Sequence, residues 1–328
     1  MNRRDAITTL AGLAIAGAAP ARAQGNVVPV VGVLYAASSE EWPNRLAAFR
    51  RGLAEQGYVD GRNVTVEVHR REGRGDSMHE AANDFVRRRV AVIVATGGPQ
   101  SVLAAKAATA TLPIVVTFGG DPVKAGLVAS LNRPGGNITG VAILTVELAA
   151  KLLDVFREFL PRADVVSLLV NPDNPIAPAY AKAAQEAASG IGLRLHVLKA
   201  ATAEELDAAF AAQANLHAGG MIIAADPFFE IRRPQLIGLA QRYRTPTFYF
   251  VREFVTRGGL ASYGSNFNDA VRVAGTYAGR LLKGAKPSDL PVVEAAKFEL
   301  VINARTAAAL GLAIPQSLRL RADEIIQR

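Results

Sequence analysis

The order of strand and helix signals is written twice along this chain, and that repetition leaves few folds open. Residues 27–36 form a continuous apolar run with β-branched side chains, the pattern of a strand buried on both faces of a parallel sheet. A helical segment carrying Leu46, Phe49 and Leu53 follows and stops near Gln56-Gly57. Strands over 63–69, 90–95 and 112–118 then alternate with helices over 79–89 and 101–109. The second round opens with VVSLLVNP at Val165 and continues with strands over 193–198, 220–225 and 245–250, separated by helices over 177–189, 203–214 and 234–243. The clearest correspondence sets GLAEQGYVDGRNVTVEVH against EAASGIGLRLHVLKA: in each, a helix stops at glycine and a strand follows. Alternation with short connections forces parallel sheets and right-handed crossovers, so two α/β lobes of one topology are expected.

In such sheets ligands lie outside the carboxyl ends of the strands. Those ends are 35–42, 96–100 and 118–124 in the first lobe and 171–176, 225–230 and 249–253 in the second. If the lobes face each other, the six loops line one cleft. Tyr35, Ser38, Trp42, Thr96, Phe118, Tyr249 and Tyr263 fall at or beside these loops, with Asp121, Asn171, Asn174 and Asp226 nearby. Apolar walls with a few placed polar groups are what a small-ligand pocket requires, so these residues are the candidate ligand contacts. Gly97-Gly98 joins them as a glycine bend before a helix, where backbone amides suit a carboxylate or phosphate. Each residue also has a structural reading: aromatics fill cores, and Asp121-Pro122 and Asp226-Pro227 have the form of helix caps.

Enzyme signatures are weak. None of the four histidines has a partner at metal-ligand spacing, and HExxH, GxSxG and Walker patterns do not occur. A secreted hydrolase using Ser38 or Ser39 would need a base that no recognisable motif supplies. A binding protein without catalysis, metal or cofactor is therefore expected.

The amino terminus bears on location. Asn2-Arg3-Arg4-Asp5 precedes an uncharged run to Ala21, and Ala21-Arg22-Ala23 has the form of a cleavage site before Gln24. Residues 1–23 thus read as a signal peptide, with the Sec or twin-arginine route left open. Its removal takes away Arg3, Arg4, Arg22 and Asp5 and lowers the formal charge from +8 to +6. That balance alone would suggest nucleic acid, but the charges are scattered apart from Arg87-Arg88-Arg89, and an exported chain rarely meets nucleic acid. With no cysteine the protein folds without disulfides, held by its core alone.

One stretch adds a family likeness. Asp121-Pro122-Val123-Lys124-Ala125-Gly126-Leu127-Val128, continuing through Arg133-Pro134-Gly135-Gly136-Asn137-Ile138-Thr139-Gly140, resembles the DPVxAGLV…RPGGNxTG pattern of a group of ABC transporter substrate-binding proteins. Leu260-Ala261-Ser262-Tyr263-Gly264, Leu282-Lys283-Gly284-Ala285-Lys286-Pro287 and Lys297-Phe298-Glu299-Leu300-Val301-Ile302-Asn303 extend the likeness across most of the mature chain. Lys124 departs from it, standing where a small residue is common. The resemblance implies a type I periplasmic-binding-protein fold, with two Rossmann-like lobes joined by a three-segment hinge. The crossovers would follow 139–141, 263–264 and 287–291, giving a first lobe of 24–142 plus 266–288 and a second of 143–265 plus 289–328. It also implies a monomeric periplasmic receptor that closes on a small solute and docks on an ABC permease. Amino-acid receptors in the group, some for aromatic amino acids, suggest that Asp121 pairs with a ligand's ammonium. A sensor subunit for a membrane signalling protein would share this fold.

Overall fold

The computed structural model describes residues 28–37, 40–70, 77–143 and 145–327, so the amino-terminal segment and Ser38 lie outside the described residues. The first lobe opens with β1 (Val30–Tyr35), α1 (Trp42–Ala54), β2 (Thr65–Arg70), α2 (Met78–Arg87), β3 (Val92–Thr96), α3 (Pro99–Ala108), β4 (Ile114–Gly119) and β5 (Ile138–Ile143). The second carries α4 (Thr145–Phe159), β6 (Val165–Val170), α5 (Ala177–Gly190), β7 (Arg194–Lys199), α6 (Ala203–Asn215), β8 (Met221–Ile223), α7 (Pro227–Ile231), α8 (Arg233–Arg242), β9 (Thr247–Tyr249), α9 (Arg252–Val255) and β10 (Ala261–Ser265). The remainder is α10 (Phe267–Leu282), β11 (Val293–Glu294), β12 (Phe298–Asn303), α11 (Ala304–Ala309), α12 (Gln316–Arg321) and β13 (Glu324–Ile326).

The two sheets repeat one order. In the first, β2-β1-β3-β4-β5-β11 run side by side; in the second, β7-β6-β8-β9-β10 follow the same sequence before β12 and β13. All pairs are parallel except β10 with β12, a departure from the expected all-parallel sheet. The reversal follows from how β12 is reached: the chain returns from the first lobe at the cleft end of the second sheet and enters β12 from that side. In both sheets the chain direction switches beside the first strand, which places the crevices above β1/β3 and above β6/β8.

The chain passes between sheets three times: between β5 and α4, between β10 and α10, and between β11 and β12. The third passage lies later than the expected boundary at 288–289. Thr139 Oγ1 donates to the Leu290 carbonyl at 2.7 Å, and Val293 and Glu294 pair with Val141 and Ala142, so this segment remains on the first sheet.

The returning helix α10 is seated on α1 by two glycines. A Cβ on Gly52 would lie 1.9 Å from the Arg272 carbonyl oxygen, and one on Gly275 would lie 2.2 Å from that of Phe49. Backbone meets backbone there, so no rotamer change relieves a larger residue. Gly275→Ala should therefore lower stability by about 1–3 kcal/mol through overpacking, read as a fall in the urea midpoint at unchanged slope.

Candidate functional site

Where the carboxyl ends of the two sheets meet lies a cavity of about 50 Å³. The first lobe contributes Arg45, the Gly97-Gly98 bend and Thr117; the second contributes Asn174, Asp226 and Glu230. Gly97 has φ +81°, and a Cβ there would lie 2.8 Å from the Ala37 amide nitrogen and 2.9 Å from the Tyr35 ring. The bend thus rests directly on the end of β1. Ser101 Oγ donates to the carbonyls of Thr96 (2.9 Å) and Gly98 (2.8 Å), tying the bend to the first turn of α3. That helix has no side-chain cap, and Gly97, Gly98 and Pro99 at its start line the cavity.

The opposite wall is built around Asp226. Its Oδ1 accepts from Asn171 Nδ2 (3.1 Å) and from the Phe228 amide (2.7 Å), and its Oδ2 accepts from Asn174 Nδ2 (2.7 Å). Burial pushes its carboxyl above the usual range, against these hydrogen bonds. Asp226 therefore caps α7 and holds two loop amides in place.

A seam of buried charge joins the walls. Arg45, 1% exposed, meets Glu230 across the cleft at 3.3 Å. Arg233 of the second lobe, 0% exposed, donates to Glu41 of the first at 2.8 Å. Arg257 reaches Glu40 and Glu41 beside it. Aromatic faces cover both buried guanidinium groups, Phe267 lying 5.0 Å from Arg45 and Phe254 5.3 Å from Arg233. Glu253 faces Arg45 from α9; burial raises its carboxyl's pKa, the Arg45 charge opposing, and its Oε2 has no partner among the described residues.

Of the residues singled out from sequence, the structure brings Gly97, Gly98, Asn174 and Asp226 to the cavity surface. Thr96 and Asn171 stand just behind, Thr96 sharing a 2.5 Å hydroxyl contact with Thr117. The others lie elsewhere. Tyr35 and Trp42 are buried in the first-lobe core and pack on each other at 4.6 Å. Phe118 is likewise core. Asp121 does not reach the cavity: its Oδ1 accepts from the amides of Val123 (2.9 Å) and Lys124 (3.1 Å), and Lys124 Nζ stands 3.6 Å away. Slight burial raises its carboxyl, but these amides and the lysine outweigh that and hold the pKa below the ordinary value. Strand alternation turns Tyr249 away, stacks it on Phe254 at 4.4 Å, and gives the cavity Phe250 instead. Tyr263 stacks on Phe298 in a separate groove of about 630 Å³ beside α4. This groove is larger than the cleft cavity but lies away from the strand ends of the first lobe.

Arg45 and Glu230 were missed by sequence reading. A signal existed for Arg45: with Trp42, Phe49 and Leu53 it occupies the buried stripe of α1, where a charged residue is out of place unless paired.

Two lobes of one strand order, three chain passages and a cleft at both switch points define a type I periplasmic-binding-protein fold. The family model for ABC transporter substrate binding protein matches residues 31–326, and the chain belongs to that family. A tyrosine-binding protein of Clostridioides difficile (strain R20291) is 26% identical over 278 residues, covering 84% of this chain and 78% of that one. Among solved structures, an ABC domain in complex with L-Trp from Streptococcus pneumoniae superposes with TM-score 0.82 at 24% identity, over 91% of this chain and 99% of that one. A ligand-free, open substrate-binding protein with adhesive properties from Clostridium difficile gives 0.69 at 23%, over 92% and 100%. Among the described residues no helix is long and apolar enough to cross a membrane, and no group of three or more His, Asp or Glu is placed to hold a metal ion.

Two outcomes follow from this geometry. Gly98 has φ +143°, and a Cβ there would lie 2.6 Å from Pro227 Cγ of the other lobe. Gly98→Ala should disfavour closure by about 1–3 kcal/mol and increase the radius of gyration in small-angle scattering. Glu253 holds its proton more tightly in the folded protein than in the unfolded chain. As pH rises from its ordinary value of 4.5 through the raised folded value, the unfolded chain releases its proton first and stability falls. Glu253→Gln removes that loss, so its melting temperature should gain on wild type from pH 4.5 toward neutrality.

Proposed function

We propose that this protein is an extracytoplasmic receptor of an ABC importer, which closes its lobes on a small polar solute, an amino acid or a related compound, and delivers it to a membrane permease. The observation that carries this reading is the cleft itself: both walls set a few polar groups in an apolar lining, both sit at strand carboxyl ends, and buried ion pairs cross from one lobe to the other. Binding pockets for small solutes usually measure about 300–1,000 Å³. A cavity of about 50 Å³ therefore implies that the lobes part to admit one. Lobe arrangement supports the same view, since superposition is better on the L-Trp complex than on the open relative at nearly equal identity.

The tyrosine-binding relative and the relative in complex with L-Trp favour a ligand of the aromatic amino-acid class. In this chain Phe250 and Phe267 supply the aromatic surface at the cavity. The signal-peptide pattern of residues 1–23 supports a periplasmic location for the mature receptor, and we take it to act as a monomer whose lobes are 24–143 with 266–294 and 144–265 with 295–328.

A thermal-shift screen of the mature protein against the twenty L-amino acids and a broad metabolite set tests the reading. At a hundredfold excess over Kd a ligand adds about 2.7 kcal/mol, a rise of roughly 4 °C for a chain of this size. If no solute in the set raises the melting temperature and none co-purifies, the receptor reading fails.

A further inference from the structure

Each wall of the cavity ends in a charge that faces the other, and the contact between them is incomplete. Arg45 uses one nitrogen, Nη2, which donates to Glu230 Oε1 at 3.4 Å and Oε2 at 3.3 Å. Charge-assisted bonds of this kind usually measure about 2.7–2.9 Å. Nε of the same guanidinium is buried and has no partner among the described residues. Phe267 covers the guanidinium face, so an incoming acceptor is confined to its edge. Two other carboxylates nearby are engaged. Asp226 accepts three hydrogen bonds, and Glu41 is held by Arg233. Tyr35 keeps its phenol proton because burial disfavours the phenolate. Glu253 faces Arg45 but does not line the cavity.

We propose that Arg45 and Glu230 are the residues that read charge on the ligand: a carboxylate takes the Nε–Nη2 edge of Arg45, a cationic amine takes Glu230, and the ligand enters where the two side chains now meet. This rests on the receptor reading above and narrows it to zwitterions. The argument is one of charge order. A solute with one group of each sign replaces the direct contact by an alternating row of guanidinium, carboxylate, ammonium and carboxylate. A neutral solute of the same size separates Arg45 from Glu230 and leaves two buried charges unpaired. A purely anionic one strands Glu230, and a purely cationic one strands Arg45. Burying an unpaired charge is the costliest of these arrangements, so the pair selects against all three.

Calorimetry on the mature protein tests this with the amino acid that gives the largest shift in the screen, its N-acetyl derivative and its carboxamide; for L-tyrosine these are N-acetyl-L-tyrosine and L-tyrosinamide. Each derivative lacks one charge and should bind wild type about a hundredfold more weakly or worse. Arg45→Gln should weaken the parent amino acid by a similar factor, yet shrink the penalty for the carboxamide, which has no carboxylate to lose. Glu230→Gln should do the same for the N-acetyl derivative. A purely structural role for either residue would leave those penalties unchanged. Binding of both derivatives within about threefold of the parent overturns the proposal, and this comparison needs no variant to fold. A protein that binds a neutral solute but no amino acid also overturns it while leaving the receptor reading intact. One that binds no small solute removes both.

Discussion

Two guanidinium groups taken out of water constrain how the lobes can meet. Arg45 and Arg233 are almost fully buried, and the carboxylate that each faces belongs to the other lobe. Neither can be satisfied by rearranging its own lobe, so lobe orientation is tied to two crossed ion pairs. Such pairs return little net stability, because the cost of stripping water from the ions roughly offsets their attraction. They do penalise wrong arrangements, since a displaced lobe leaves a bare charge in a dry site. The apolar cores weigh little in the decision: the buried members of each of the four large clusters come from one lobe, and Phe267 is the first-lobe side chain packed against a second-lobe cluster. Opening therefore exchanges a nearly balanced set of polar contacts and leaves the cores intact, and a ligand of modest differential affinity can set the outcome.

The repeat was legible because parallel strands advertise themselves. Val92–Thr96 and Val165–Val170 are short runs of buried, β-branched-rich residues, which parallel strands covered on both faces produce. The short elements were not legible. Met221–Ile223 and Thr247–Tyr249 are three residues long, and Val293–Glu294 two, too few for periodicity to register. The late third passage belongs to the same class, set by a threonine hydroxyl and a two-residue ladder that no local pattern announces.

In the site, topology was more informative than residue type. Gly97, Gly98, Asn174 and Asp226 reach the cavity surface because they follow strands at switch points, where backbone position decides what faces the cleft. Aromatic residues in similar sequence positions went into cores, because a strand's alternation decides which of two neighbours faces the cleft, as with Tyr249 and Phe250. Asp121 shows the limit most plainly. Its family motif is intact, yet local amides claim its carboxylate, and the motif builds a turn at the lobe surface. Arg45 and Glu230 are 185 positions apart, and their meeting depends on both lobes being built and joined.

The passage of the chain between lobes also orders its assembly in time. The strands β6 to β10 of the second sheet come from one uninterrupted stretch, whereas the first lobe waits for α10 and β11, which are made only after that stretch. Gly52 of α1 cannot find its seat on Arg272 until more than two-thirds of the protein exists. During synthesis the lobe encoded first therefore stays unfinished across that whole stretch, its α1 face uncovered meanwhile, and the second lobe closes last with β12 and β13.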